Sequence, residues 1–154
     1  MAHPAVLSMI SWNRSPRWVA AQLLGIFAVA LALRGAVALT STHVPAADET
    51  SYDETGWSIS TGQGYVLDGK FTFKPPLYSA FLGGVYALWG HQYHAVRIVQ
   101  AILGASLCLL VVWLGWTLMG PREGLLGGWL AALYPPFIML TQWLFSENLF
   151  LWLT

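Results

Sequence analysis

Apolar and polar positions fall in long blocks along this chain. The first apolar run extends from Trp18 to Thr40: no charge separates Arg17 from Arg34, and Gly35-Ala36-Val37-Ala38-Leu39 continues it. At ~1.5 Å per residue, about 22 residues reach ~33 Å, enough for a hydrocarbon core of ~30 Å. A cleaved leader has a shorter apolar region, about 7–15 residues, and no clear small-x-small cleavage site precedes a soluble domain here. A retained helix is therefore the reading, with residues 1–17 as a tail and Arg34 near one end, its stem reaching towards the headgroups. A second uncharged run covers Ile98 to Met119, interrupted only by the polar Gln100, Ser106 and Thr117. Gly120-Pro121-Arg122-Glu123-Gly124 reads as a tight charged turn (residues 120–124). A third run, Leu125 to Leu140, contains Pro135-Pro136, where two backbone donors are lost and the helix must end or kink. Glu147 to Thr154 reads as the start of a fourth span, so the chain reads as the N-terminal piece of a larger polytopic protein.

The stretch between the first two spans, residues 41–97, has its own order. Asp48 to Ser60 predicts a short helix with acids in its first turn, where the helix dipole favours them. Asp48 and Tyr52 share a face of it, and Glu49 and Asp53 lie one step around. Asp53 and Glu54 read as a solvated face. Gly62-Gln63-Gly64 ends the helix, and Tyr65 to Phe73 predicts a small hairpin turning at Asp68-Gly69. Pro75-Pro76 then opens a helix from Leu77 to Trp89, with proline suited to the first helical position. About 13 residues are too few to cross a bilayer, which places that helix in the interface.

Composition sharpens this picture. Hydrophobic residues make up 56% of the chain against 9% charged, and mean hydropathy is +0.58. Soluble domains are typically about 45–50% apolar and about 25% charged, so an integral-membrane helical bundle is expected. Zero formal net charge argues against nucleic-acid binding by bulk electrostatics. The single cysteine, Cys108, has no intrachain partner, so it says nothing about redox compartment. Orientation follows from Arg14, Arg17 and Arg122 on one side against Lys70, Lys74 and Arg97 on the other. Short tails and turns weigh more than long loops, which puts the N-terminus in the cytoplasm and residues 41–97 outside.

Four of the seven acidic residues fall within 48–54, and Lys74 follows some twenty residues on. Charge is costly near lipid unless it is in water or paired, so this cluster marks the expected working surface. Each residue also has a plainer role. Asp48 suits a helix N-terminus, Glu49 can pair with a cation, Lys74 and Arg97 can anchor to headgroups, and Tyr52 can simply pack. Glu147 is harder to dismiss, because a lone carboxylate opening an apolar segment is expensive. His43, His91 and His94 raise a metal hypothesis, but the His91–His94 stretch reads as a loop and gives no tight ligand set.

Taken in order, Asp48-Glu49-x-x-Tyr52, Gly62/Gly64, Lys74-Pro75-Pro76-Leu77-Tyr78 and Val96-Arg97 opening a span resemble the first third of the GT-C membrane glycosyltransferases. The similarity is to the protein O-mannosyltransferases and the lipid A aminoarabinose transferases. Ala131-Leu133-Tyr134-Pro135 and Ser146-Glu147-Asn148-Leu149-Phe150 extend it over roughly residues 30–154. The resemblance implies a polytopic all-α bundle with interfacial helices in its first outer loop. It implies an inverting enzyme of a bacterial-type plasma (inner) membrane, its active site facing outward. The donor would be a polyprenyl-phosphate-linked sugar and the acceptor a lipid, glycan or protein. The catalytic acids would be Asp48 and Glu49. Lys74 and Arg97 would meet the donor phosphate, with Tyr52 and Glu147 as further substrate contacts. No metal ligand is assigned and no cofactor is certain, although some relatives use a divalent cation near the loop acids. Complete members of the family are longer, so these 154 residues alone are expected to be inactive. The rival expectations are a transporter or channel fragment, whose polar groups would lie within the spans near the midplane, and a non-catalytic membrane adaptor.

Overall fold

The computed structural model describes residues 15–67, 70–72 and 74–153, except for the side chains of Asn148 and Trp152. Arg14, the Asp68-Gly69 turn, Phe73 and Thr154 lie outside the described residues.

Helix α1 spans Pro16–Thr40; the Ser15 hydroxyl accepts from the Trp18 amide and Pro16 occupies the first helical position, where its missing N–H has no partner to lose. Helix α2 is Asp48–Ser60, and α3 is Pro76–Trp89 with its proline likewise at the start. Between them β1 (Val66–Leu67) and β2 (Lys70–Phe71) pair antiparallel, Val66 opposite Phe71 and Leu67 opposite Lys70. Helix α4 is Tyr93–Leu118 and α5 is Pro121–Leu133; α6 (Pro135–Met139) and a 3-10 turn (Leu140–Gln142) follow, then α7 (Glu147–Leu153). Among the described residues two helices, α1 and α4, are long and apolar enough to cross a membrane; α5 with residues 135–142 makes a third if the 54° bend between them belongs to one span.

Two boundaries differ from expectation. Helix α4 starts at Tyr93 and not at Ile98, so His94 and Arg97 are helical; an uncharged window stops at Arg97, whereas the backbone is free to turn from Gly90 onwards, whose φ is +76°. Residues 121–124 are the first turn of α5 and not a loop, since Pro121 fits the first helical position and Glu123 meets the positive end of the dipole.

Helices α1, α4 and α5 pack around Ile26, Ala30, Ala105, Cys108, Val112 and Ala132. Close approach depends on small residues, as expected where lipid supplies no hydrophobic drive between helices. A Cβ on Gly124 would lie 2.6 Å from the Trp116 nitrogen and from the Val112 carbonyl oxygen, and one on Gly128 would lie 2.2 Å from the Val112 side chain. A second core joins α2, α3 and the start of α4 through Tyr52, Tyr78, Leu82, Tyr86 and Val96, with Leu144. Here α2 and α3 cross at Gly56 and Gly83, where a Cβ would meet Leu82 at 2.7 Å and Ile59 at 2.8 Å.

Arg34 does not reach for the surface. It is 1% exposed, with Nη1 donating to the carbonyls of Ala30 and Ala132 (both 3.3 Å) and Nη2 to that of Ala131 (3.2 Å). The cause lies in the double proline. In an α-helix the carbonyls of Ala131 and Ala132 would accept from the amides of residues 135 and 136, and both of those are prolines without an N–H. The guanidinium fork of Arg34 replaces both missing donors. Gly104 makes room for it, since a Cβ there would stand 2.8 Å from the Arg34 Nε.

Candidate functional site

Helix α2 carries the acids, and its first turn is tied down from several sides. Ala47, just before it, has φ +53°, the only positive φ outside glycine among the described residues, a conformation that persists only where the surroundings fix it. Glu49 fixes it. Its Oε2 accepts from the Ala46 amide (3.1 Å) and from His43 Nε2 (2.7 Å), and its Oε1 accepts from the Leu144 amide (2.8 Å). The side chain is 3% exposed. Arg97 serves the same two segments with the opposite polarity. Its Nε donates to the Gln142 carbonyl (3.1 Å), Nη1 to that of Ser41 (3.0 Å) and Nη2 to that of His43. Irregular backbone at the end of an apolar span leaves N–H and C=O groups without partners. A buried carboxylate takes the former and a buried guanidinium the latter. Glu49 and Arg97 thus hold residues 41–47 and 142–144 against α2 and α4.

Asp48 points the other way. It is largely exposed and bonds Lys74 Nζ at 2.7 Å. Lys74 also stands 5.4 Å from the centre of the Tyr52 ring, near enough for the ring face to attract its charge. The lysine backbone is pinned, its amide donating to the Thr72 hydroxyl and its carbonyl accepting from the Tyr65 hydroxyl. The hydrogen bond to Asp48 raises the Lys74 ammonium above the usual lysine range. Beside it, Tyr52 packs edge-on against Tyr78 with ring centres 5.2 Å apart. Burial pushes the Tyr78 phenol well above its ordinary range, and its oxygen accepts from Gln100 Nε2 at 2.8 Å.

Next to Lys74 in the chain, Pro75 begins the wall of a largely apolar cleft of about 400 Å³. Leu77 and Tyr78 continue that wall, and Glu147, Leu149 and Phe150 of α7 form the opposite one. Glu147 is the acidic group in this lining. Of the residues singled out in the sequence, Asp48, Lys74 and Tyr52 form one cluster, Glu147 faces the neighbouring cleft, and Glu49 and Arg97 lie beneath as supports.

Asp53 corrects an expectation: it is not on a solvated face but 5% exposed. Its Oδ1 accepts from the Tyr86 hydroxyl (2.5 Å) and from His91 Nε2 (2.7 Å), and its Oδ2 from the Tyr93 hydroxyl (3.1 Å). Burial and the adjoining carboxylate push the Tyr86 phenol far above its ordinary range, so it remains a donor. Glu54 does stay exposed. His43, Tyr86, His91 and Gln100 were not assigned these parts from sequence. Their partners come from other helices, and the only local signal was the recurrence of histidine in the polar stretch.

A divalent cation needs several free oxygens converging on one point. Both oxygens of Glu49 and of Asp53 are occupied, Asp48 is paired with Lys74, and among the described residues no group of three or more His, Cys, Asp or Glu converges. These residues do not fit such an ion. Comparison of the chain with protein families, with curated proteins and with solved structures yields no match.

Proposed function

We propose that the chain carries the donor-binding and base-bearing part of a membrane glycosyltransferase that uses a polyprenyl-phosphate sugar. The observation that carries this reading is the Asp48–Lys74 ion pair at the edge of an apolar cleft beside helices long enough to cross a membrane. Such a donor has an apolar chain and a charged head, and the site has a groove for one and an ammonium for the other. The resemblance to the GT-C enzymes supports the same assignment. An incoming phosphate draws Lys74 away from Asp48, which frees the carboxylate for the acceptor. Asp48 accepts the proton of the acceptor hydroxyl as its oxygen attacks the anomeric carbon. The bond from that carbon to the phosphate oxygen breaks, and the leaving phosphate takes the electron pair and is stabilised by Lys74. One displacement inverts the anomeric configuration. Glu49 and Arg97 act by position, holding the turn from which Asp48 projects.

The transporter reading draws on buried charge within the spans, and Arg34 is such a charge. Its Nη groups are spent on carbonyls that prolines left open, which makes it a structural donor and not part of a path. The adaptor reading leaves the Asp48–Lys74 pair without a task.

Two results test the proposal. In the full-length protein in native membranes, Lys74→Ala should raise the KM for the lipid-phosphate donor by about 10-fold or more, as loss of a charged hydrogen bond worth about 1.5–3 kcal/mol requires. The same change at Lys70 should have little effect, and equal effects at the two lysines would remove Lys74 from the donor site. Orientation is tested with single cysteines placed at Ser51 and Ser15. An impermeant thiol reagent applied to intact cells should label position 51, while preferential labelling of position 15 would reverse the topology.

A further inference from the structure

A second face of helix α2 lines a cavity. Glu54, Trp57 and Ser58 follow at i, i+3 and i+4, turned roughly 150° from Asp48 and Tyr52 at ~100° per residue. With Gln63, Val66, Leu67 and His91 they line an open cavity of about 250 Å³. His91 is held from every side: Asp53 bonds its Nε2, Trp57 stacks on it at 4.9 Å with 13° between planes, and Tyr86 and Tyr93 meet it edge-on. Because a carboxylate only accepts, it is Nε2 that donates to Asp53. Ser58 is 7% exposed, and its hydroxyl oxygen has no partner among the described residues. A buried hydroxyl without a partner is uncommon and needs a reason.

We infer that this cavity binds one saccharide ring. Its polar lining is rich in acceptor oxygens: the Glu54 carboxylate and the Gln63 carbonyl, against the Gln63 amide. A ligand dense in hydroxyl donors matches that balance. The remaining wall, made by Val66, Leu67 and the Trp57 indole, is apolar and suits the C–H face of a sugar ring. An inorganic anion would meet the charges of Glu54 and Asp53, and a small ammonium would leave the apolar wall uncovered. The volume lies below the ~300–1,000 Å³ of drug-sized sites, which sets the limit at a single ring. This inference rests on the cavity's own chemistry and not on the transferase reading, and its readout is binding alone.

The test is saturation-transfer NMR on the full chain in lipid nanodiscs, with methyl α-D-glucopyranoside as probe and methylammonium as the competing arm. The ring C–H protons of the glycoside should receive saturation. The double variant Glu54→Ala/Gln63→Ala, made at exposed positions, should weaken binding by about 10-fold or more, the equivalent of ~1.4 kcal/mol. Leu67→Trp, which fills the cavity from the hairpin and removes no hydrogen-bonding group, should abolish the signal. Equal saturation in all three proteins, no saturation of the glycoside, or saturation confined to methylammonium would each overturn the assignment.

Discussion

Replacing Asp48 by Asn in the full-length protein is expected to lower sugar transfer by about 10²-fold or more in native membranes, the lower range of what a positioned general base contributes. The substitution keeps the shape and the exposed position of the side chain but removes its ability to take a proton. Lys74 loses its ion-pair partner and stays available to phosphate, so donor affinity should hold or tighten while turnover falls. Glu49→Gln should behave differently. Both Glu49 oxygens face donors, from Leu144 on one side and from Ala46 and His43 on the other. A carboxamide must turn its NH2 towards one of those donor sets, so a buried amide loses its acceptor at about 1–3 kcal/mol. Turnover and protein abundance should therefore fall together at position 49, and turnover alone at position 48. Near-normal transfer by Asp48→Asn would sink the assignment of the base.

The second large effect is expected at Arg34. Arg34→Leu removes a buried charge, which relieves a desolvation cost, but it leaves the carbonyls of Ala131 and Ala132 without donors among apolar neighbours. Two such groups at about 1–3 kcal/mol each outweigh the relief, because the guanidinium fork serves both in the native state. A loss of about 2–4 kcal/mol is expected in reversible unfolding by denaturant in detergent. The cause can be separated from general damage. Pro135→Ala/Pro136→Ala restores the amides that would reach those carbonyls, so in that background Arg34→Leu should cost much less. Additive losses across the cycle would show that the arginine acts in some other way.

The local elements were largely legible, because their signals are local. Asp48 to Ser60 was readable from acids at its start and glycines at its end, and α3 from a proline at its first position. The long helices follow from uncharged runs that only a helix can hold in lipid. What escaped depends on partners far along the chain. Arg34 sits near the end of an apolar run, and nothing around it shows that its carbonyl partners are 97 and 98 residues away. A signal did exist: Pro135-Pro136 within an apolar segment must orphan two carbonyls, and Arg34 is the cation set within the first run. Asp53 looked solvated because Glu54 beside it is. Only the packing of α2 on α3 at Gly56 and Gly83, and the return of α4, bring Tyr86, His91 and Tyr93 to it. Asp48, Glu49 and Lys74 stood out by charge in an apolar chain, and Arg97 through the resemblance. Their division into an exposed pair and two buried supports required three dimensions.

The central claim is that a lipid phosphate lies with its head at Lys74 and its chain in the cleft between α3 and α7. Photocrosslinking tests this most directly, using a polyprenyl phosphate with a diazirine in its first isoprene units and peptide mapping of the labelled protein in native membranes. Label should fall on residues 75–78 and 147–153, and Lys74→Ala should reduce it by about 10-fold, in line with the lost charged hydrogen bond. A second apolar groove, lined by Leu23, Leu109, Val112, Trp113 and Trp116 on α1 and α4, supplies the contrasting outcome. Label concentrated there and indifferent to Lys74 would contradict the placement of the donor.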